Sequence, residues 1–193
     1  MSRQKTFRKI NIVEKKIIQN SLTRISLKLI SVLSNLEHLI YVSFNNITSK
    51  EKFPLIYLIT NKQREIIERI DAKEKITSGG LYFGFLKKGD FFLSLEGAEF
   101  LYKQEIFKEF KRIYINEKGE KSILYGNNIL KNMVFRLPDN LEENDFLLVL
   151  NKKEELIAIA TSQTNSKNVQ KLKSNEVIAV NLSDKGYYLR KKQ

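Results

Sequence analysis

The sequence predicts an α+β protein in two parts: an N-terminal mixed α/β domain with a largely antiparallel sheet over residues 1–116, and a small β-barrel-like domain over residues 121–193. Three observations lead there. Short runs rich in β-branched and aromatic residues recur in pairs joined by turn residues; segments of helical period stand between them in the first two-thirds of the chain; and the charged run Asn116-Glu117-Lys118-Gly119-Glu120-Lys121 separates two apolar stretches, as a linker does. With 42% hydrophobic and 10% aromatic residues in 193, the chain has the material for a core in each part.

In the N-terminal part, Ile10, Val13, Ile17 and Ile18 recur at helical spacing, with Lys9, Lys15 and Lys16 mostly off that stripe, which predicts an amphipathic helix. Leu22 to Leu33 fits either period: Leu22, Ile25, Leu29 and Val32 continue a helix, while Ile25, Leu27 and Leu29 alternate as in a strand. Leu39 to Phe44 and Lys52 to Thr60, on either side of the polar stretch Asn45 to Lys50, predict a β-hairpin. Asn61 follows as an N-cap for a helix through Gln63 to Ile70, with Ile66, Ile67 and Ile70 inward. After Ser78-Gly79-Gly80, Leu81 to Leu86 and Phe91 to Leu95 predict a second hairpin around Lys87-Lys88-Gly89-Asp90. Glu96 to Phe110 is compatible with a helix, and Arg112 to Ile115 with a closing strand.

The C-terminal part opens with a predicted strand at Ile123 to Tyr125 and a helix from Asn127 to Asn132, Gly126 turning the chain between them. Strands follow at Phe146 to Leu150, Leu156 to Ala160, Val177 to Val180 and Tyr187 to Leu189, with Gly186 supplying a positive φ at the last turn. Short strands with one early helix suit a small closed barrel.

A formal net charge of +12 sets up a positive potential that attracts polyanions, nucleic acid foremost. Three basic groups stand out: Arg3, Lys5, Arg8, Lys9, Lys15, Lys16, Arg24 and Lys28, nearly unopposed by acids; Lys108, Lys111 and Arg112 beside Tyr114; and Lys131, Lys167, Lys171, Lys173, Lys185, Arg190, Lys191 and Lys192. In the third group the cations are suited to phosphates, while Tyr187 or Tyr188 can stack on an unpaired base. Each lysine taken singly also fits a plain solvated surface, and of two adjacent strand tyrosines one faces the core.

Catalytic templates find no support. With no cysteine and a single histidine, His38, inside an apolar run, there is no thiolate nucleophile and no cysteine-based metal site. Gly79, Gly80 and Gly84 lack the Gly-Lys-Ser/Thr of a phosphate loop and read as turns and close packing. Asp90, Glu96 and Glu99 lie among lysines, as solvated carboxylates do. No metal and no cofactor are predicted. The basic N-terminus is followed by Glu14, Lys15 and Lys16 rather than an apolar stretch, and no apolar run has the roughly 20 residues a spanning helix needs, so the expectation is a soluble intracellular protein.

The stretch Ser122-Ile123-Leu124-Tyr125-Gly126-Asn127-Asn128-Ile129-Leu130-Lys131, of form S-x-L-Y-G-x-x-x-L-K, and the closing D-x-G-x-Y-x-R of Asp184 to Arg190 resemble the opening and closing of a PUA domain. In this form they most resemble the PUA-domain family of large (60S-type) ribosomal subunit biogenesis factors, the nuclear-import-protein-seven type, as an archaeal homologue. Residues 39–95, with Gly80-x-x-Phe83-Gly84 and Phe91-Phe92-Leu93, are similar to that family's pre-PUA domain. The resemblance implies a pre-PUA and a PUA domain, no catalytic activity, and contact with pre-rRNA through the PUA domain; the charge pattern makes Lys131, Lys167, Lys171, Lys173, Lys185, Tyr187, Arg190, Lys191 and Lys192 the residues expected to hold that RNA, single-stranded or irregular. It also implies other ribosome-assembly or RNA-processing proteins as partners, no membrane, a monomer, and a cytoplasmic location, nucleolar or nuclear in a eukaryote. The alternatives are an RNA-modification enzyme or accessory subunit carrying a PUA domain, and a basic amphipathic membrane-surface helix over Arg3 to Leu33.

Overall fold

The computed structural model describes residues 7–36, 39–44, 53–70 and 76–190. The chain forms two compact units, Met1–Phe107 and Lys108–Gln193.

In the first unit the order is β1 (Phe7–Lys9), α1 (Ile12–Thr23), α2 (Leu29–Leu36), β2 (Ile40–Ser43), β3 (Leu55–Leu58), α3 (Asn61–Arg69), β4 (Leu81–Lys87), β5 (Asp90–Leu93) and α4 (Leu95–Lys103). The five strands pair in sequence order and antiparallel throughout, both predicted hairpins among them. Alternation along the strands buries Ile40, Val42, Ile56, Leu58, Phe83, Phe91 and Leu93. α1 packs against β5 and α2, and α4 packs against β4. The buried positions of α1 are Glu14, Ile18, Ser21 and Leu22, so the stripe is rotated from the predicted one and Val13 is exposed. Asn11, accepting from the amides of Val13 and Glu14, caps the helix, and packing against β5 and α2 selects the face that is buried. The ambiguous stretch resolves into the end of α1, a turn and α2, whose Leu29 and Leu33 are buried.

Two helix boundaries differ from expectation. Thr60, not Asn61, is the N-cap of α3: Thr60 Oγ1 accepts from the Gln63 amide at 3.2 Å, and Gln63 Oε1 accepts from the Thr60 amide at 2.8 Å. That reciprocal box needs Gln or Glu three residues after the cap, which Thr60 has and Asn61 lacks. Ile67 packs toward Phe7, Tyr41 and Ile59, whereas Ile66 is exposed. The helix expected over Glu96 to Phe110 stops at Lys103, because Glu105 turns left-handed (φ 53°) and the Phe107 amide returns to the Leu101 carbonyl.

In the second unit the order is β6 (Lys111–Ile115), α5 (Glu117–Leu124), β7 (Ile129–Leu130), a 3₁₀ turn (Lys131–Met133), β8 (Val134–Arg136), β9 (Phe146–Leu150), β10 (Leu156–Ser162), α6 (Ser166–Val169), β11 (Val177–Asp184) and α7 (Tyr187–Arg190). The sheet order is β7-β11-β10-β9-β6-β8, antiparallel except for β6 with β9. β7 and β8 are its two edges, yet three residues join them. A link that short cannot cross a flat six-stranded sheet, so the sheet curls into a nearly closed barrel. Ile113, Ile115, Ile123, Ile129, Leu147, Val149, Ile157 and Ile178 form its core.

Several expectations are corrected here. The run Asn116 to Lys121, read as a linker, is the N-cap and first turns of α5: Asn116 Oδ1 accepts from the Gly119 amide at 2.9 Å, and Gly119 and Ile123, four apart, share the buried face. One buried face is all an amphipathic helix needs, so a charged run hides it. The predicted strand at Ile123 to Tyr125 is therefore helix. The predicted helix at Asn127 to Asn132 is β7 and the 3₁₀ turn, since Ile129 and Leu130 pair with β11. The strand around Arg112 to Ile115 belongs to the second sheet, not the first. Tyr187 to Leu189 is one helical turn rather than a strand. Gly126 does take φ 89°, but Gly186 does not have a positive φ. What Gly186 provides is room: a Cβ there would sit 1.9 Å from the Leu124 carbonyl oxygen.

Candidate nucleic-acid interface

Two basic clusters lie at opposite ends of β11. At its start, the 131–133 turn binds the connection after α6. The Lys131 amide donates to the Glu176 carbonyl and the Asn132 amide to the Ser174 carbonyl, at 3.0 and 2.9 Å. Lys131 Nζ donates to the Gln170 and Leu172 carbonyls at 2.9 and 2.6 Å, so this cation holds the carbonyls just beyond α6. Around it Lys167, Lys171 and Lys173 are exposed, and among the described residues no carboxylate pairs with their side chains. The structure brings Lys131 to the segment that carries the other three, with Lys131 as the internal strut.

At the other end, Lys185, Tyr187 and Arg190 gather against the corner that joins α5 to β7. Arg190 donates from Nη1 to Asp184 Oδ1 at 2.9 Å and from Nη2 to Asp184 Oδ2 at 3.0 Å, and Nη1 also donates to the Leu124 carbonyl. Asp184 is buried, and its hydrogen bonds raise the pKa of the Arg190 guanidinium. Asn181 Nδ2 adds bonds to the Ile123 and Asn127 carbonyls and to Asp184. The D-x-G-x-Y-x-R motif is thus a lock: Asp184 and Arg190 clamp α7 onto the corner, and Gly186 gives the Leu124 carbonyl room. Arg190 spends its charge in that clamp. Lys185 and Tyr187 are exposed beside it. Lys191 and Lys192 lie outside the described residues.

The seven steps of β11 from Val177 to Asp184 hold these clusters on the order of 20 Å apart, so the third basic group is divided into two patches joined by an edge. Leu182 is exposed between them. The corner also presents Tyr125, 77% exposed, an aromatic face the sequence reading passed over although Leu-Tyr-Gly carried the resemblance. The signal in the sequence was the Tyr125-Gly126 pair, an aromatic residue at a glycine turn.

Much of the other basic sequence is committed. Arg8 binds Glu14 through both nitrogens, at 2.9 and 2.8 Å, and Arg24 pairs with Asp90 at 2.9 Å, so the N-terminal group is less unopposed than it reads. Arg3 and Lys5 lie outside the described residues, as does His38. Burial of Ile18, Leu22, Leu29 and Leu33 removes the apolar face that a membrane-surface helix over Arg3 to Leu33 needs. No helix among the described residues is long and apolar enough to cross a membrane. Asp90 and Glu99 are ion-paired, Glu99 with Lys103 at 2.7 Å, and no group of three metal-ligating side chains occurs among the described residues.

Residues 111–193 match the family model described as the UPF0113 PUA domain. A UPF0113 protein of Archaeoglobus fulgidus is 33% identical over 100 residues, 52% of this chain and 55% of that protein, so the match spans about half the length of that relative. The 60S ribosome subunit biogenesis protein nip7 of Schizosaccharomyces pombe is 22% identical over 136 residues, 70% of this chain and 73% of that protein. Among solved structures, a conserved PUA domain protein from Thermoplasma acidophilum superposes with a TM-score of 0.59 at 15% identity, covering 96% of this chain and 98% of that one, a likeness of fold.

Proposed function

We propose that this chain, whose residues 111–193 match the UPF0113 PUA domain family model, is a non-catalytic, monomeric ribosome biogenesis factor that contacts large-subunit pre-rRNA through its C-terminal unit. The observation that carries the reading is the set of exposed lysines 167, 171 and 173, held in place by Lys131 and joined along β11 to the Lys185, Tyr187 and Tyr125 corner. Cations at the first patch hold phosphates and the tyrosines at the second offer faces to unpaired bases, the division of labour that single-stranded RNA requires. Other assembly factors are its partners, and it works where ribosomes are assembled, in the cytoplasm or, in a eukaryotic cell, the nucleolus. The 60S biogenesis relatives support the assembly role.

Ultraviolet crosslinking in the native cell, with sequencing of the RNA held by the protein, tests this. The expected result is reads concentrated on large-subunit rRNA precursor. Reads concentrated on transfer RNA would move the chain to an RNA-modification system, and no enriched RNA would overturn the reading.

A further inference from the structure

A groove of about 560 Å³ lies in the second unit where β6 and β8 meet, with no β11 residue in its lining, and falls within the size range of small-molecule sites. Tyr114 and Arg136 are register partners across the two strands. The Arg136 guanidinium carbon lies 3.4 Å from the centre of the Tyr114 ring, and that ring is buried, so the guanidinium rests on a fixed floor. Its in-plane edge is turned to Glu154 Oε1 at 3.2 Å. The side chain is nonetheless 55% exposed. What it presents outward is a flat π face, with Nη2 of its edge engaged by Glu154.

That arrangement selects among ligands. A carboxylate or phosphate seeks the in-plane edge of a guanidinium, where Glu154 already meets Nη2, whereas a planar ring stacks on the face, and guanidinium planes stack on nucleobases. Around this face the groove is lined by Lys108, Glu109, Arg112, Leu137 and Pro138, two cations and one carboxylate beside an apolar wall. Lys111 fixes the rim through bonds to the Asn140 carbonyl and Asp145, at 2.6 and 2.5 Å. Phe135, 55% exposed, packs tilted against Tyr114 with ring centres 6.2 Å apart.

We propose that this groove is a second nucleotide-binding site, in which an unpaired RNA base stacks on the outer face of Arg136 with its phosphate toward Arg112 and Lys108. The inference rests on the RNA-binding reading and adds a further contact on β8, the edge strand that the 131–133 turn joins to β7.

The test is titration of the full chain with a fluorescein-labelled single-stranded oligoadenylate across a salt series, for wild type, R136A and R136K. Arg136→Lys keeps the charge and removes the flat face. Both variants are expected to bind about tenfold more weakly at fixed salt, the worth of one stacked base, with R136K retaining the wild-type salt slope. In the wild-type chain, the Arg136 Nε–H and Tyr114 ring resonances should shift on adding the same RNA, a readout independent of how the variants fold. R136K binding as tightly as wild type, or unshifted Arg136 and Tyr114 resonances in a chain whose lysine patch still binds, would overturn the groove alone. No binding by the wild-type chain at low salt would overturn both readings.

Discussion

Replacing Lys167, Lys171 and Lys173 together with alanine has a consequence that can be worked from charge alone. All three side chains are exposed and none is held by a carboxylate among the described residues, so removing them leaves no orphaned partner. Each cation at a phosphate of a single strand contributes about 0.7 to the slope of log K against log salt, so losing three flattens that slope by about 2. Referred to 1 M salt, where counterion release contributes nothing, the loss in affinity grows to about 50-fold at 0.15 M and roughly 500-fold at 0.05 M. Fluorescence anisotropy with single-stranded RNA over a salt series reads both quantities, and circular dichroism confirms that the variant is folded. An unchanged slope would refute the assignment of these lysines to phosphate. A weakened but parallel line would refute the electrostatic reasoning, because it would mean that the lysines act through something other than counterion release. Lys131→Ala makes the contrast: its Nζ serves two backbone carbonyls, so its loss should leave the slope alone and cost about 1–2 kcal/mol of stability.

Three further outcomes are expected. Ile123→Ala removes three fully buried carbons from the barrel core, a transfer loss of about 2.4 kcal/mol before any cavity is counted, and differential scanning calorimetry should show the second unit melting at least 10 °C lower. Gly186→Ala drives a Cβ into the Leu124 carbonyl and should destabilise α7 and its corner by about 1–3 kcal/mol, read by hydrogen exchange at residues 123–127. Burial works to raise the Glu14 pKa, but hydrogen bonds from Arg8 and the Asn11 amide, with the Arg8 charge, outweigh it, and the net shift is downward. A carboxylate lowered on folding stabilises fully above its unfolded value of about 4.3 and loses that contribution as pH falls through the folded value, so Glu14→Gln should flatten the acid limb of the stability profile below about pH 5.

Both hairpins of the first unit, the strands Phe146–Leu150 and Leu156–Ser162 and the α+β class were legible because their signals are local: alternation, β-branched runs and turn residues act between near neighbours. The third basic group and the two motifs were legible too, as composition and spacing. The first turns of α5 were not, since a charged run becomes a helix only when a sheet takes up Gly119 and Ile123 on one side. Nor was the end of the chain: alternation in Tyr187 to Leu189 suggests a strand, and the Asp184 to Arg190 clamp, which closes across the Leu124 carbonyl, makes it a helical turn.

The same division runs through function. The sequence by itself determined that the protein is basic, that it carries no thiol chemistry, and that its C-terminal part has the PUA pattern. Only the tertiary structure decided which cations are available, because a lysine facing solvent and one holding two carbonyls look alike in a sequence. Lys131 and Arg190 went to structure, Lys167, Lys171 and Lys173 to the surface, and Tyr114 beneath Arg136, since partners dozens of residues away, or across a sheet, settle where each charge is spent.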